Sequence, residues 1–177
     1  MGLTRIVLLI INLLGGLAVL GSYVWGLKTH TGGADVLWGG ASPRIRPAYG
    51  VSMILSAVSY FAFIFFILFK LDPAVVSVND KLGYSFFSFL FIIILGASSL
   101  WMPLTYAWVG QHLSLIWLAI RAVLLMVGLS SCVLAWALLN LNTGTGGVAY
   151  WLAVAGSIYF AFHTTILDAL LWPALYR

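Results

Sequence analysis

Five long apolar segments constrain this chain more than any other feature. A helix needs about 20 apolar residues to cross a hydrocarbon core of about 30 Å, and such segments lie at about 4–27, 47–70, 82–106, 112–140 and 147–172. The chain is 63% hydrophobic and 7% charged, with a mean hydropathy of +1.12, and a soluble fold could not bury that much apolar surface. The sequence therefore predicts an all-α, polytopic membrane protein, a single five-transmembrane-helix bundle over residues 1–177.

The loop at 28–46 is the longest predicted connection between these segments. It carries Trp38 and is stiffened by Pro43, with Pro47 directly after it. Long loops in compact proteins often act as lids or binding elements, although a solvated turn is the simpler interpretation. An odd number of spans places the N-terminus on one side of the membrane, called side A here. The long loop and the C-terminus then lie together on the opposite side, side B.

The tryptophans are distributed unequally between the two sides. On this topology six of the eight lie at or near side B, whereas Trp136 and Trp151 lie near side A. Belts that anchor a protein at the headgroups should populate both surfaces. The excess predicts either stronger anchoring at side B or a shared aromatic site that stacks on a ligand or on another protein.

Two charged side chains are predicted inside the spans, Arg121 in the fourth and Asp168 in the fifth. A charge at the bilayer centre costs about 2.5–3.5 kcal/mol on insertion scales, so neither should face lipid alone. Because consecutive spans are antiparallel and the depth difference is about 7 Å, we expect the two to form a structural ion pair. His163, near the middle of the fifth span, is either a packing histidine or a polar partner at the base of a site.

The remaining polar residues do not form a recognisable catalytic pattern. The sequence has no HExxH motif, no paired carboxylates and no second intramembrane histidine for a bis-imidazole haem. We therefore predict a protein that is not an enzyme and that has no metal site. The basic residues are scattered, so no nucleic-acid partner is expected.

The stretch Trp101-Met-Pro103-Leu104-Thr-Tyr106 resembles the Trp-x-Pro-Leu-x-aromatic signature of the translocator protein family, also called tryptophan-rich sensory proteins. Those are five-helix membrane proteins of similar size, and the long first loop with Trp38 and the position of Tyr60, thirteen residues after Pro47, agree with their layout. The resemblance implies a flat hydrophobic ligand, a porphyrin or haem or a sterol. The ligand-binding residues that we predict are Trp38, Tyr49, Tyr60, Trp101 and His163.

A different function is equally consistent with the sequence. The chain has little soluble mass and many small residues on its helices, such as the row through Ala153, Ser157 and Ala161, which permit close helix packing in lipid. It could therefore be a non-catalytic accessory subunit of a larger membrane complex. The expected partners are the lipid bilayer and either further copies, as a homo-oligomer, or subunits of a membrane complex. We expect the membrane to be an organellar one, mitochondrial or plastid, or a bacterial inner membrane.

Overall fold

The computed structural model describes residues 2–30 and 32–176. It confirms the predicted fold class, because five helices are long and apolar enough to cross a membrane. The long helices are α1 (Leu3–Thr29), α2 (Arg46–Phe69), α3 (Ser85–Gln111), α4 (Ser114–Leu139) and α5 (Gly147–Phe162). The fifth span continues from α5 through a π-helical segment (His163–Leu171), called the π segment below, into the short α6 (Trp172–Leu175). A six-residue 3₁₀ helix (Gly33–Trp38), called the loop helix, lies in the first loop.

The helices do not pack in sequence order. α1 packs mainly on α3, α3 on α4, α4 on α5 and the π segment, and α5 on α2. α1 and α2 touch only slightly, although a hydrogen bond from the Tyr60 hydroxyl to Asn12 joins them. The bundle is thus a nearly closed ring of five helices whose weakest seam lies between α1 and α2.

The third helix differs from the sequence prediction at both ends. It begins at Ser85 rather than at 82, because Leu82–Gly83 (β2) pairs with Ser77–Val78 (β1) in a two-residue antiparallel hairpin at side A. It ends at Gln111 rather than at 106, because Pro103 lies inside the helix without ending it and the chain turns at His112, whose backbone is left-handed. Proline removes one backbone donor, and here the Thr105 hydroxyl donates to the Trp101 carbonyl over 2.8 Å beside it.

Two glycines allow the fifth span to approach its neighbouring helices closely. A Cβ on Gly156 of α5 would lie 3.0 Å from the Ser59 carbonyl oxygen of α2, and one on Gly128 of α4 would lie 3.0 Å from Thr165 Cα in the π segment. The Thr165 hydroxyl donates to the Gly128 carbonyl over 3.1 Å at the same crossing. Association in lipid depends on such close packing, so these positions fix where the fifth span lies.

The topology predicts opposite labelling of two loops. In a Cys132→Ser background, Ser42→Cys should react with an impermeant maleimide from one side of sealed vesicles, and Thr145→Cys only from the other. Both native residues are exposed and are separated by three spans. Labelling is read by mass shift before and after permeabilisation. Reaction of both cysteines from the same side would contradict the five-span arrangement.

Candidate functional site

A polar network lies between α2 and the fifth span toward side B. The Tyr49 hydroxyl donates to Asp168 Oδ1 over 2.5 Å, and His163 Nε2 lies 3.5 Å from Asp168 Oδ2. On the other edge of the imidazole, Ser52 Oγ lies 2.9 Å from Nδ1 and 2.9 Å from the Tyr159 hydroxyl. Five polar side chains from α2 and the fifth span therefore meet within the membrane-spanning part of the bundle.

The proton positions in this network can be assigned consistently. If Tyr159 donates to Ser52 and Ser52 donates to Nδ1 of His163, the imidazole carries its proton on Nε2, facing Asp168. The carboxylate then accepts the Tyr49 hydrogen bond, faces the Nε2 proton at 3.5 Å and remains an acceptor. Its side chain is 30% exposed, so a further donor can reach it.

The π segment brings His163 and Asp168 together. In an α-helix, residues five apart point about 140° away from each other around the axis. In a π-helix the hydrogen bond runs between residues five apart, so the two positions lie on the same side of the helix; the Trp172 amide, for example, donates to the Leu167 carbonyl. Short π segments often occur at functional sites, and here the segment creates the Asp168–His163 juxtaposition.

The predicted ion pair between Arg121 and Asp168 does not form. Arg121 is exposed and lines a cleft of about 170 Å³ on the outer face of the bundle, together with Trp117, Ala169 and Pro173. The prediction compared only the depths of the two residues on neighbouring antiparallel spans, whereas the π segment turns Asp168 toward Tyr49. A long arginine side chain near a helix end can extend its charge to the headgroups, which removes its need for an internal partner.

The first loop is bound to the bundle through its backbone carbonyls. Tyr106 donates to the Gly33 carbonyl over 2.9 Å, Trp172 Nε1 to Leu37 over 2.9 Å, and the Tyr176 hydroxyl to Val36 over 2.7 Å. Burial raises the pKa of Tyr176 to about 12, so its hydroxyl stays protonated and able to donate. The loop helix is therefore held as a cover over side B.

Many of the side B aromatic rings pack against one another beneath this cover. Trp172 lies 4.4 Å from Tyr176, 5.5 Å from Trp101 and 6.0 Å from Trp117, measured between ring centroids. The excess of rings at side B thus has a structural use, because they fill this end of the bundle and supply the donors that hold the loop.

Four of the five predicted ligand-binding residues come together, and Tyr60 does not. Trp38 lies 5.7 Å from Tyr49, and Tyr49 lies 5.7 Å from His163, between ring centroids. Tyr49 and Trp101 pack against the same aromatic cluster. Tyr60 lies eleven residues further along α2, about 16 Å away at 1.5 Å per residue.

Tyr60 and Trp101 have different surroundings. The Tyr60 ring packs among Phe63, Phe91 and Phe160 in the centre of the bundle. Trp101 lies 5.8 Å from the ring of Tyr23, and its Nε1 is buried without a hydrogen-bond partner among the described residues. Tyr60 is therefore a core residue, whereas Trp101 retains an unused donor next to the site.

Comparison with models of protein families, with curated proteins and with solved structures gave no match. The resemblance of the 101–106 stretch to the translocator family stays a prediction.

The sequence pattern did not identify Tyr49 as the partner of Asp168, nor Ser52 and Tyr159 as the partners of His163. Ser52 begins a row of serines on α2 with Ser56 and Ser59, which indicated an inward polar seam without saying what it meets. Tyr159 lies one turn before His163, and that spacing was the one available signal. Tyr23 gave no signal, because a tyrosine near a helix end is typical of interfacial anchoring.

Proposed function

We propose that this protein binds a flat, largely apolar ligand of the sterol type at side B, with the ligand's polar group at Asp168. The observation that carries the proposal is the Tyr49–Asp168–His163 network, which ends in a partly exposed carboxylate inside a span. Ionisable groups within spans are costly and usually functional. A ligand hydroxyl can donate to this acceptor while its ring system lies against Tyr49, Trp38 and Trp101.

The same carboxylate argues against a porphyrin, the other ligand class that the sequence suggested. Porphyrins of the haem type carry carboxylates, which Asp168 would repel in a low-dielectric site. An axial pair for haem is also missing among the described histidines, because His30 stacks on Tyr106 and His112 packs on Trp108, away from His163. No group of three metal-binding side chains occurs in the described part of the chain.

Access to the site would be through the seam between α1 and α2. These helices touch only slightly, and Tyr23 of α1 lies on the side of the bundle that holds Trp101 and Asp168. The rings now pack together, so binding requires that α1 move away and that the ligand take the place of ring–ring contacts. Trp101 Nε1, which has no partner among the described residues, would offer a second polar contact.

The proposal is tested by equilibrium binding of radiolabelled cholesterol to the purified protein. We expect saturable binding that Asp168→Leu weakens about tenfold or more, since a hydrogen bond to a charged group contributes about 1.5–3 kcal/mol. Arg121→Gln, on the outer face of α4, is the matched control and should bind as the wild type does. Unsaturable binding, or equal affinity in Asp168→Leu, would refute the proposal.

Protoporphyrin distinguishes the two ligand classes in the same preparation. If the carboxylate repels it, tryptophan quenching should be linear in protoporphyrin concentration and unchanged by Asp168→Asn. Saturable quenching that strengthens in Asp168→Asn would instead favour the porphyrin class.

A second candidate function is an accessory subunit of a larger membrane complex. It is favoured by α1, which packs mainly on α3 and in which only 6% of the residues in an apolar stretch of 18 are buried. A helix that packs on one neighbour and leaves most of its residues uncovered offers a surface to another protein. Gentle extraction from native membranes and sizing of the particle test this function, because a particle with the mass of one or a few copies of the chain would exclude it.

A further inference from the structure

A second site lies at the opposite end of the molecule from Asp168. A cleft of about 420 Å³ opens at side A between the start of α1 and the turn after α2, and Gly2, Thr4, Arg5, Asp72, Pro73 and Ala74 line it. Because α1 has 27 residues and is about 40 Å long, its ends extend past a hydrocarbon core of about 30 Å. The cleft therefore lies at the depth of the lipid headgroups.

Arg5 is held in position and keeps unused donors. Its Nη2 donates to the Leu71 carbonyl over 2.7 Å, just beyond the end of α2, where a cation is favoured by the helix dipole. Its Nε is buried and without a hydrogen-bond partner among the described residues, and Asp72 is not within ion-pair distance. The guanidinium is bonded to the Leu71 carbonyl and lies near the Tyr84 hydroxyl. Because Arg5 also lines the cleft, its remaining N–H groups are suited to a phosphate.

Asp72 supplies the opposite charge in the same cleft. Its Oδ1 accepts the Ala74 amide over 3.0 Å, which fixes the orientation of the carboxylate while leaving the other oxygen available. The cleft thus presents a cation and an anion that are close together but not paired with each other.

We propose that this cleft binds the headgroup of a zwitterionic phospholipid with a primary amine, its phosphate on Arg5 and its ammonium on Asp72. Of the zwitterionic headgroups, ethanolamine fits because its ammonium donates hydrogen bonds to a carboxylate, whereas the trimethylammonium of choline has none to donate. An anionic headgroup such as phosphatidylglycerol would satisfy Arg5 alone and leave Asp72 beside added negative charge. The acyl chains find an apolar surface directly next to the cleft, starting at Leu3, which is 77% exposed.

Native mass spectrometry of the detergent-purified protein, titrated separately with phosphatidylethanolamine, phosphatidylcholine and phosphatidylglycerol, tests the proposal. The wild type should retain phosphatidylethanolamine about tenfold better than the other two. Asp72→Asn should bring the three lipids to similar retention, and Arg5→Gln should weaken all of them. Lys81→Gln, an exposed cation on the same side but outside the cleft, should leave the preference unchanged.

Two further measurements make the lipid-binding result unambiguous. Soluble phosphoethanolamine, which has the headgroup without the chains, should compete only at much higher concentration if the site takes a lipid; equal competition would indicate a free-phosphoester site. Because Arg5→Gln also removes the bond to Leu71, its thermal unfolding is measured beside Asp72→Asn, in which the amide oxygen can still accept from Ala74. Equal retention of the three lipids by the wild type, or an unchanged preference in Asp72→Asn, would overturn the proposal. Cholesterol binding at Asp168 is a separate measurement, so the two proposals can fail independently.

Discussion

Trp172→Ala should lower the free energy of unfolding by about 3–5 kcal/mol, the usual cost of removing a buried large aromatic side chain. Trp172 is 6% exposed and contacts the rings of Trp101, Trp117 and Tyr176. The substitution also removes the donor to the Leu37 carbonyl. The loop helix should therefore loosen as well, because one of the bonds that hold it over side B is lost.

The free energy is read from unfolding in a titration with sodium dodecyl sulfate, and the loop from the rate of tryptic cleavage after Arg44. Trp151→Ala is the matched control, because Trp151 is 62% exposed on the lipid-facing surface of α5 and should change both quantities little. Equal destabilisation by the two alanines would show that Trp172 contributes no more packing than a lipid-facing ring.

Gly128→Val is expected to have the second large effect. It should lower both the stability of the protein and ligand binding at the Asp168 site. Its Cβ would lie 3.0 Å from Thr165 Cα and 3.0 Å from the Thr165 hydroxyl, so the π segment must move away from α4. Overpacking of this kind costs about 1–3 kcal/mol or more. Because the π segment carries both His163 and Asp168, we also expect the affinity for cholesterol to fall.

Gly96→Val is the control for this substitution. Gly96 also lies inside a long helix, but a Cβ there meets nothing within 4 Å, so the same change of side chain should leave stability and cholesterol binding near the wild-type values. Unfolding and binding are measured on the same samples. If Gly128→Val were as stable as Gly96→Val, the crossing of α4 and the π segment would have to be looser than the structure shows.

The two ends of the bundle differ in how their polar groups are satisfied. At side B, tyrosine and tryptophan side chains donate to loop carbonyls, as in the pair Tyr176–Val36. At side A the backbone does most of this, because the β1–β2 hairpin bonds to the connection between α4 and α5, for example from the Asn79 amide to the Asn140 carbonyl over 2.9 Å. Backbone polar groups at helix ends need partners. Side chains supply many of these partners at side B, whereas the backbone supplies most of them at side A.

The spans follow from the sequence because length and apolarity are local properties. A run of about 20 predominantly apolar residues is removed from water even when it holds one charge, so the five helices and their approximate bounds are set whatever they pack against. The predicted C-terminal end of the third helix was wrong, because a proline near a helix end and a proline inside a helix leave the same sequence pattern. In the candidate site, the sequence likewise identified Asp168 and His163 as significant, because a polar group in a span is costly wherever it points.

The partners of those groups were decided only by the tertiary structure. A carboxylate in lipid needs a donor or a cation, and the sequence offered Arg121 as a cation on the neighbouring span. The π segment, fixed against Gly128, rotates Asp168 toward Tyr49 and His163 instead. The free-energy cost of placing a charged side chain in a span is a property of the residue. The direction in which that side chain points depends on how its helix is wound and on which helix lies beside it. The apolar sequence therefore determined that this chain crosses the membrane five times, and the packing of the fifth span determined what its buried charge contacts.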